Sequence, residues 1–342
     1  MSTILVTGGA GYVGGACCAQ LIEQGHRVAV VDDLSAGHAS AVPEEAPLYV
    51  VDIADRDAMR QVLASDRFDV IFHFAAKALI PESVSNPGAF FDANVASGIA
   101  LLEAAREAGI KRFVFSSSAA VYGNSHSTRI TEDDIKDPLN PYGETKLMLE
   151  RALRWYASAY DWSVVVFRYF NACGATATLG EDHYPETHII PLLLEVASGG
   201  REYFDIFGYD YQTPDGTALR DYVHILDIAD AHIRALRALE RPGISAFNIG
   251  TGTALSVRHV CRVVSQVMGK RVPTRDSDRR AGDPAVLCAS PERLMKELAW
   301  RPRFSDIETI VRSAWEWKQT HPIGYRVRET ELLLPPTQFV RR

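Results

Sequence analysis

Short apolar runs bounded by polar, glycine-containing turns recur through the first half of the chain, at residues 4–6, 28–31, 48–51, 70–74, 112–115 and 164–170. Runs this short, rich in Val, Ile and Phe and without strict alternation, predict strands buried on both faces. Between them lie segments of helical pattern: 16–24, a stretch starting near Arg56, a long one from about 87 to 108, and 141–160, which Pro141 opens. This strict alternation predicts an α/β fold built on a doubly wound parallel sheet. After Asn171 the rhythm changes. Residues 172–188, rich in Gly, Thr, His and acids, read as loop. A helix at about 190–199 follows, then short strands at 204–208 and 220–224, a helix at 227–239, a strand at 247–250, a helix at 257–268 and a charged turn at 279–284. The expected division is a first domain of 1–171 plus 221–250, and a smaller C-terminal lobe of 172–220 plus 251–342.

The first turn carries the sharpest local signal. Gly8, Gly11 and Gly14 follow the first strand with G-x-x-G-x-x-G spacing and lead into a helix. In such a turn one glycine permits an unusual φ, one lets backbone approach a pyrophosphate, and one lets helix pack on strand. The free N–H groups and positive dipole end of the helix complete an anion site. Asp32 ends the second strand, 18 residues after Gly14, where a carboxylate accepts both hydroxyls of an adenosine ribose. No Arg or Lys lies between Asp32 and Pro43 to receive a 2′-phosphate, so NAD is expected rather than NADP. The alternative is an ordinary glycine turn. Asp52 and Ile53, after the third strand, suit an adenine's amino group and face, or Asp52 caps the helix beginning near Arg56. The small Ala75 and Ala76 would let backbone close over a cofactor. His73 has no partner at metal-ligand spacing, so a hydrogen-bonded buried histidine is expected and no metal. Asn94 points an amide at the cofactor or bridges neighbouring segments.

Composition narrows the class. The 342 residues are 47% hydrophobic and 23% charged, enough to bury a large core. The net charge of −7, without a dense Lys/Arg cluster, argues against a nucleic-acid partner. Five cysteines without a C-x-x-C pair predict reduced thiols and a cytoplasmic setting. No run of 18 apolar residues suggests a membrane span, and a strand beginning by residue 4 predicts no signal peptide.

Ser118, Tyr142 and Lys146 carry the candidate chemistry. Tyr142 and Lys146 are i and i+4 on one helix, so they share a face. A free tyrosine titrates near 10, too high for a base at neutrality. The Lys146 ammonium and an oxidised nicotinamide would both favour phenolate, and a shift of about 3 units corresponds to roughly 4 kcal/mol. Ser118, at a strand end 24 residues before Tyr142, would hydrogen-bond the reacting hydroxyl. The unit would then take a proton from an alcohol while hydride leaves the same carbon. A surface tyrosine with a solvated lysine is the alternative. Ser116 and Ser117 are explained equally well by hydrogen bonding at strand ends.

The segments 7–14, Ser116-Ser117-Ser118, Tyr142-x-x-x-Lys146 and Arg168-Tyr169-Phe170-Asn171 resemble the extended short-chain dehydrogenase/reductase superfamily. The fuller resemblance, to about Tyr325, is to the UDP-glucose 4-epimerase family. It includes His73-Phe74-Ala75-Ala76, Pro81-Glu82-Ser83-Val84, Val121-Tyr122-Gly123, 220–224 and Gly282-Asp283-Pro284. The resemblance implies a Rossmann sheet and tightly held NAD. Its contacts would be Gly8, Gly11, Tyr12, Val13, Asp32, Asp52, Ile53, Phe74, Ala75, Ala76, Asn94, Ser116, Tyr142, Lys146 and Tyr169. It implies a UDP-sugar held by Asn171, Arg220 and Arg280 at the diphosphate, Asp283 at a ribose hydroxyl and Phe207 near the uracil. Ser118 and Tyr142 would meet the sugar, and a homodimer would form through helices near 88–108 and 142–160. A surface ion pair such as Arg220 with Asp221 is the plainer alternative for the arginines. The sequence departs from the family at three places. Lys77 directly follows Ala76, where some members carry a lysine two residues on. His188 stands where some members have asparagine against the diphosphate. Leu287 occupies a position whose size limits bulk at the sugar C2, and which is tyrosine in some members.

Other readings stay within reach of the residues. A 4-epimerase of UDP-N-acetylhexosamines or of UDP-xylose and UDP-arabinose shares every motif above. A dehydratase or decarboxylase needs an acid pair beside the serine, where this chain has Ser117, Ala119 and Ala120. A non-catalytic NAD-sensing protein would not need the Tyr/Lys pair.

Overall fold

The computed structural model describes residues 1–125, 127–280 and 283–325. In chain order the first half runs β1 (Thr3–Thr7), α1 (Tyr12–Glu23), β2 (Arg27–Asp32), β3 (Leu48–Val50), α2 (Arg56–Ser65), β4 (Val70–His73), α3 (Ile80–Ser85), α4 (Pro87–Phe90), α5 (Ser97–Glu107), β5 (Arg112–Ser118), α6 (Pro141–Tyr160) and β6 (Ser163–Tyr169). The second half adds β7 (Asn171–Cys173), α7 (Ile189–Ser198), β8 (Phe204–Phe207), β9 (Leu219–His224), α8 (Ile225–Ala238), β10 (Gly243–Ile249), β11 (Ala254–Ser256), α9 (Val257–Val267), β12 (Thr274–Ser277), β13 (Val286–Leu287), α10 (Glu292–Glu297) and α11 (Ile307–Thr320).

The large sheet has seven strands in the order β10-β6-β5-β4-β1-β2-β3, every neighbouring pair parallel. This is the expected doubly wound sheet. The order reverses at β1, whose neighbours are β2 and β4, and ligands of such sheets bind at that reversal, beyond the strands' carboxyl ends. One buried apolar layer packs the sheet against α1 and α8, including Val6, Val30, Phe72 and Ile228. A second packs it against α2, α5 and α6, including Leu5, Val31, Leu101 and Leu153. A third joins α7, α9 and α11 around Leu193, Val264 and Ile310, in the smaller lobe. There β9 pairs with β7, β11 and β13, and β8 pairs with β12. The short strand at 220–224 therefore belongs to a small sheet, while α8 and β10 return to the large one.

Two helices differ from the sequence reading. α1 begins at Tyr12, four residues before the expected start, because Gly11 is already its extended N-cap. The expected helix at 87–108 is interrupted. α4 passes into a wide π-type turn at Phe91–Ala96 before α5, and α3 precedes it. α6 matches its expected span. Asn140 accepts a bond from Gly143 N at 2.9 Å, Pro141 fills the first turn, and Asp161 ends the helix in a left-handed conformation.

A buried ion pair ties α6 to the sheet. Arg168 on β6 donates to both oxygens of Glu150 on α6, from Nη2 at 2.7 Å and from Nε at 3.0 Å. Ser117 donates to Glu150 at 2.6 Å, and Arg168 donates onward to Tyr122 at 2.7 Å. Tyr122 donates to Asn248 on β10 at 2.7 Å. Removing one member of such a pair leaves the other charge buried alone, which costs about 3–5 kcal/mol. Arg168→Ala should therefore lower unfolding stability by about that amount, read as the urea midpoint, whereas the joint change Arg168→Met with Glu150→Leu should cost distinctly less.

Candidate active site

Gly8 shows why the first turn needs glycine. Its φ is +76°, and a Cβ there would lie 2.4 Å from Ala75 N. The backbone after β4 thus closes directly over the turn, with Phe74 N and Ala75 N donating to Thr7 O at 2.8 and 3.0 Å. A Cβ on Gly14 would collide with Gly8 O at 2.2 Å, whereas one on Gly11 would meet only Gly8 O at 3.3 Å. Gly8 and Gly14 are packing requirements, and Gly11 presents the open side. No side chain caps the first turn of α1 and no acidic residue lies in it, so its N–H groups are set out for an anion. Asp32 is buried at the end of β2, accepting from Ala10 N and Leu34 N at 3.0 Å each. Burial pushes its carboxyl pKa up, and those two bonds pull the other way. This cradle fits a dinucleotide: open amides for the pyrophosphate and an anchored carboxylate for a ribose.

Other expected cofactor residues stand around the same end of the sheet. Val13 packs into the core from α1. Tyr12 donates to Gly174 O and sets its ring edge against His183. Phe74 lies 4.9 Å from the His232 ring. Asp52 is exposed and accepts from Ala54 N at 2.8 Å, while Asp55 caps α2, so Asp52 is not the helix cap. Ile53 is buried in the layer under α2. His73 is a buried, hydrogen-bonded histidine, 2.7 Å from Thr7 Oγ1, its pKa pulled down to about 3 by burial. Asn94 is the bridge, not a free amide. Its Oδ1 accepts from Lys77 N at 2.8 Å, and its Nδ2 donates to Lys77 O at 2.9 Å and Thr145 Oγ1 at 3.0 Å. The Lys77 ammonium lies 3.4 Å from Glu82.

Ser118, Tyr142 and Lys146 meet at the carboxyl end of β5. Ser118 is the last residue of that strand, paired with Tyr169 on β6. The Lys146 ammonium is buried, 5.1 Å from the Phe115 ring centre and 5.8 Å from that of Tyr142. Among the described residues its hydrogen bond goes to Ser116 O at 2.8 Å. Burial pulls its pKa down to about 7, and Glu150, one turn further along α6, works against that. Burial raises the Tyr142 pKa, opposed by the hydrogen bond with Ser118. The expected lowering of that phenol is therefore not supplied by the chain's own side chains, because desolvation outweighs them. Tyr169 is pushed up by burial too, and its hydroxyl lies 2.7 Å from His232 Nε2. Glu150 was missed by the sequence reading, although its position four residues after Lys146 was the signal.

The expected substrate residues form a second group in the smaller lobe. Asn171 on β7 donates to Asp221 O at 3.0 Å. Arg220 on β9 donates to Pro284 O at 2.9 Å and faces Asp283 at 3.9 Å. The Arg220–Asp221 surface pair does not form. Asp221 is buried and accepts from Thr251 N, Gly252 N and Ala289 N. The Arg280 guanidinium stacks 3.8 Å from the Phe207 ring centre, and burial lowers its pKa. Leu287, in register with Arg220, packs against the buried cluster that holds Ala119 and Phe170. Ala281 and Gly282 of the charged turn lie outside the described residues. His188 lies in the segment between β7 and α7. It precedes α7, with Nδ1 2.6 Å from Glu181 and 3.2 Å from Glu186.

Residues 4–250 match the family model of the NAD dependent epimerase/dehydratase family. The chain is 46% identical over 331 residues to a UDP-glucose 4-epimerase of Streptococcus mutans, covering 95% of this chain and 99% of that one. It is 45% identical over 326 residues to a UDP-glucose 4-epimerase of Lacticaseibacillus casei, covering 94% and 98%. Its fold is similar to a UDP-glucose 4-epimerase from Bifidobacterium longum solved in complex with NAD+ and UDP. The TM-score is 0.91 and the identity 32%, over 94% of this chain and all of that one.

The depressed Lys146 pKa has a measurable sign. The unfolded chain binds this proton up to about 10.4, the folded chain only up to about 7. In that window the unfolded state holds more protons, so stability contributed by this site rises with pH. Thermal unfolding followed from pH 7 to pH 10 should show the wild type gaining on Lys146→Met, and parallel curves would contradict the assignment.

Proposed function

We infer the reaction from one premise: the chain belongs to the NAD dependent epimerase/dehydratase family. It is an isomerase that interconverts UDP-glucose and UDP-galactose through a 4-keto sugar, with NAD as resident cofactor. The observation that carries this reading is the convergence of Ser118, Tyr142 and Lys146 on the end of β5, two strands from the glycine turn that β1 feeds.

The cofactor would lie along the carboxyl edge of the sheet, with pyrophosphate on Gly11, Tyr12 and Val13 and a ribose on Asp32. Its adenine would lie by Asp52 and Ile53, its inner half beneath Phe74, Ala75, Ala76, Ser116 and Tyr169. Bound NAD supplies a hydride acceptor that later returns the hydride and, when oxidised, a positive charge beside the phenol. Tyr142 takes the proton of the sugar 4-hydroxyl while Ser118 hydrogen-bonds that oxygen. Lys146 steadies the phenolate from the same helix face. The 4-ketose then turns about its link to the diphosphate, and Tyr142 returns the proton with the sugar's other face presented. Binding must therefore concentrate on the part that does not turn. Asn171, Arg220 and Arg280 would hold the diphosphate, Asp283 a ribose hydroxyl and Phe207 the uracil face, and bidentate arginine suits phosphate. His188, engaged through Nδ1, would meet the nucleotide through Nε2. In this proposal 1–171 with 221–250 serve NAD and 172–220 with 251–342 the sugar nucleotide, except that Asn171 and 221–224, on β7 and β9, belong to the smaller sheet.

A homodimer is part of the proposal. On α6, Met148 and Trp155 stand seven residues apart on one face and are 37% and 74% exposed, an unusual placement for large apolar side chains. Two copies of α6 with the adjoining α4–α5 segment would bury them. Among the described residues no helix is long and apolar enough to cross a membrane, and the five cysteines are free and buried, as a cytoplasmic protein's would be.

Incubation with UDP-galactose and no added NAD should yield UDP-glucose. Tyr142→Phe should lower turnover by about 10²–10⁴-fold with NAD still bound; loss of NAD instead would make the tyrosine a structural residue. Trp155→Asp should shift the chain to a monomer in light scattering, and an unchanged mass would remove α6 from the interface.

A further inference from the structure

The segment between β7 and α7 carries the pattern Glu-x-His-x-x-Glu-x-His, from Glu181 to His188. The fold gathers all four side chains, one ligand atom from each lying within 4.8 Å of the others. Glu181 Oε1 is the hub, 2.6 Å from His188 Nδ1 and 3.3 Å from His183 Nδ1, while Glu186 Oε1 is 3.2 Å from His188 Nδ1. From this cluster we propose a binding site for one divalent cation of the zinc class, held by Glu181, His183, Glu186 and His188.

Two imidazole nitrogens and two carboxylate oxygens form a donor set for a borderline cation with tetrahedral preference. Zn–N and Zn–O bonds of about 2.0–2.2 Å set tetrahedral ligand atoms about 3.3–3.5 Å apart. One of the three close contacts, His183 Nδ1 to Glu181 Oε1 at 3.3 Å, already has that spacing. A second observation concerns His183. His183 Nδ1 is buried and has no hydrogen-bond partner, although Glu181 Oε1 lies 3.3 Å away. A buried ring nitrogen beside carboxylate oxygens, without a hydrogen bond of its own, is open to an ion shared with them. The hub carboxylate is almost wholly enclosed at 7% exposure, and half-exposed His188 leaves a way in. The other neighbouring acid, Asp182, faces away and accepts from Tyr325 N.

The ion would close a chelate on the loop whose start, Gly174, receives the Tyr12 hydroxyl, and whose end opens α7. It would thereby fix a wall beside the glycine turn. The site stands on these four residues alone, and zinc content is read without turnover, so its failure would leave the epimerase reading untouched.

The test uses the untagged protein with its cofactor, dialysed against EDTA and then equilibrated with zinc chloride or magnesium chloride. After desalting, metal content is measured by mass spectrometry and the melting temperature with and without zinc. One zinc per chain, no magnesium, and a melting temperature raised by zinc are expected. Glu181→Gln with His183→Ala should lose the zinc and the shift. X-ray absorption on the wild type should show only nitrogen and oxygen neighbours, a readout that does not require the variant to fold. Substoichiometric zinc, zinc retained by the variant, or sulfur in the shell would overturn the site. So would stabilisation by acid alone, the mark of protonated histidines paired with the acids.

Discussion

A buried ammonium group sets the terms for the middle of this molecule. Lys146 lies near the Phe115 and Tyr142 rings with its hydrogen bond on Ser116 O of β5, and burial pulls its pKa down to about 7 even with Glu150 working against it. The opposite charge one turn along α6, Glu150, counters part of that burial effect and is itself paired with Arg168. The result is an alternating line of charges from the core to the site, in which Glu150 and Arg168 are joined by an ion pair and Lys146 feels Glu150 through its field. Desolvating any one of them without its neighbour would cost several kcal/mol. The same line clamps α6 to β5 and β6, so the catalytic geometry and the packing of the sheet are one constraint.

That arrangement also explains the phenol. The sequence motif suggests that a lysine one turn away makes a tyrosine acidic. In the folded chain both groups are desolvated, and desolvation pushes the lysine down and the tyrosine up. Neither direction favours phenolate with lysinium. Under the proposed reaction, the missing charge comes with the cofactor, and the base is strong only when an oxidised ring is in place to receive hydride. A tyrosine held weak until that moment would not strip protons idly.

Much of this was legible in the chain itself. The parallel sheet, the glycine turn, Asp32 and the span of α6 follow from apolar run lengths, glycine spacing and a Pro at a helix start, all local properties. Less legible were features set by distant contacts. The start of α1 depends on Gly11 adopting an extended N-cap, which spacing does not reveal. Sequence leaves Asn94 open between a cofactor contact and a bridge until the fold brings Lys77 and Thr145 to it, and leaves the Arg220–Asp221 pair open until that acid turns inward to three loop amides. The histidine and glutamate group went unseen because its members lie in a segment without periodicity, where pattern carries no information about direction.

The π-type turn at Phe91–Ala96 inserts one residue's worth of extra winding between α4 and α5. It lets Asn94 face the Lys77 loop while Leu101 and Leu102 still face the sheet. Deleting a single residue here would restore regular winding, yet would swing one of those two faces by about 100°. Both cannot be kept with fewer residues. Over evolutionary time this stretch should therefore accept substitutions and resist changes in length, an indel barrier in the middle of an otherwise ordinary helix.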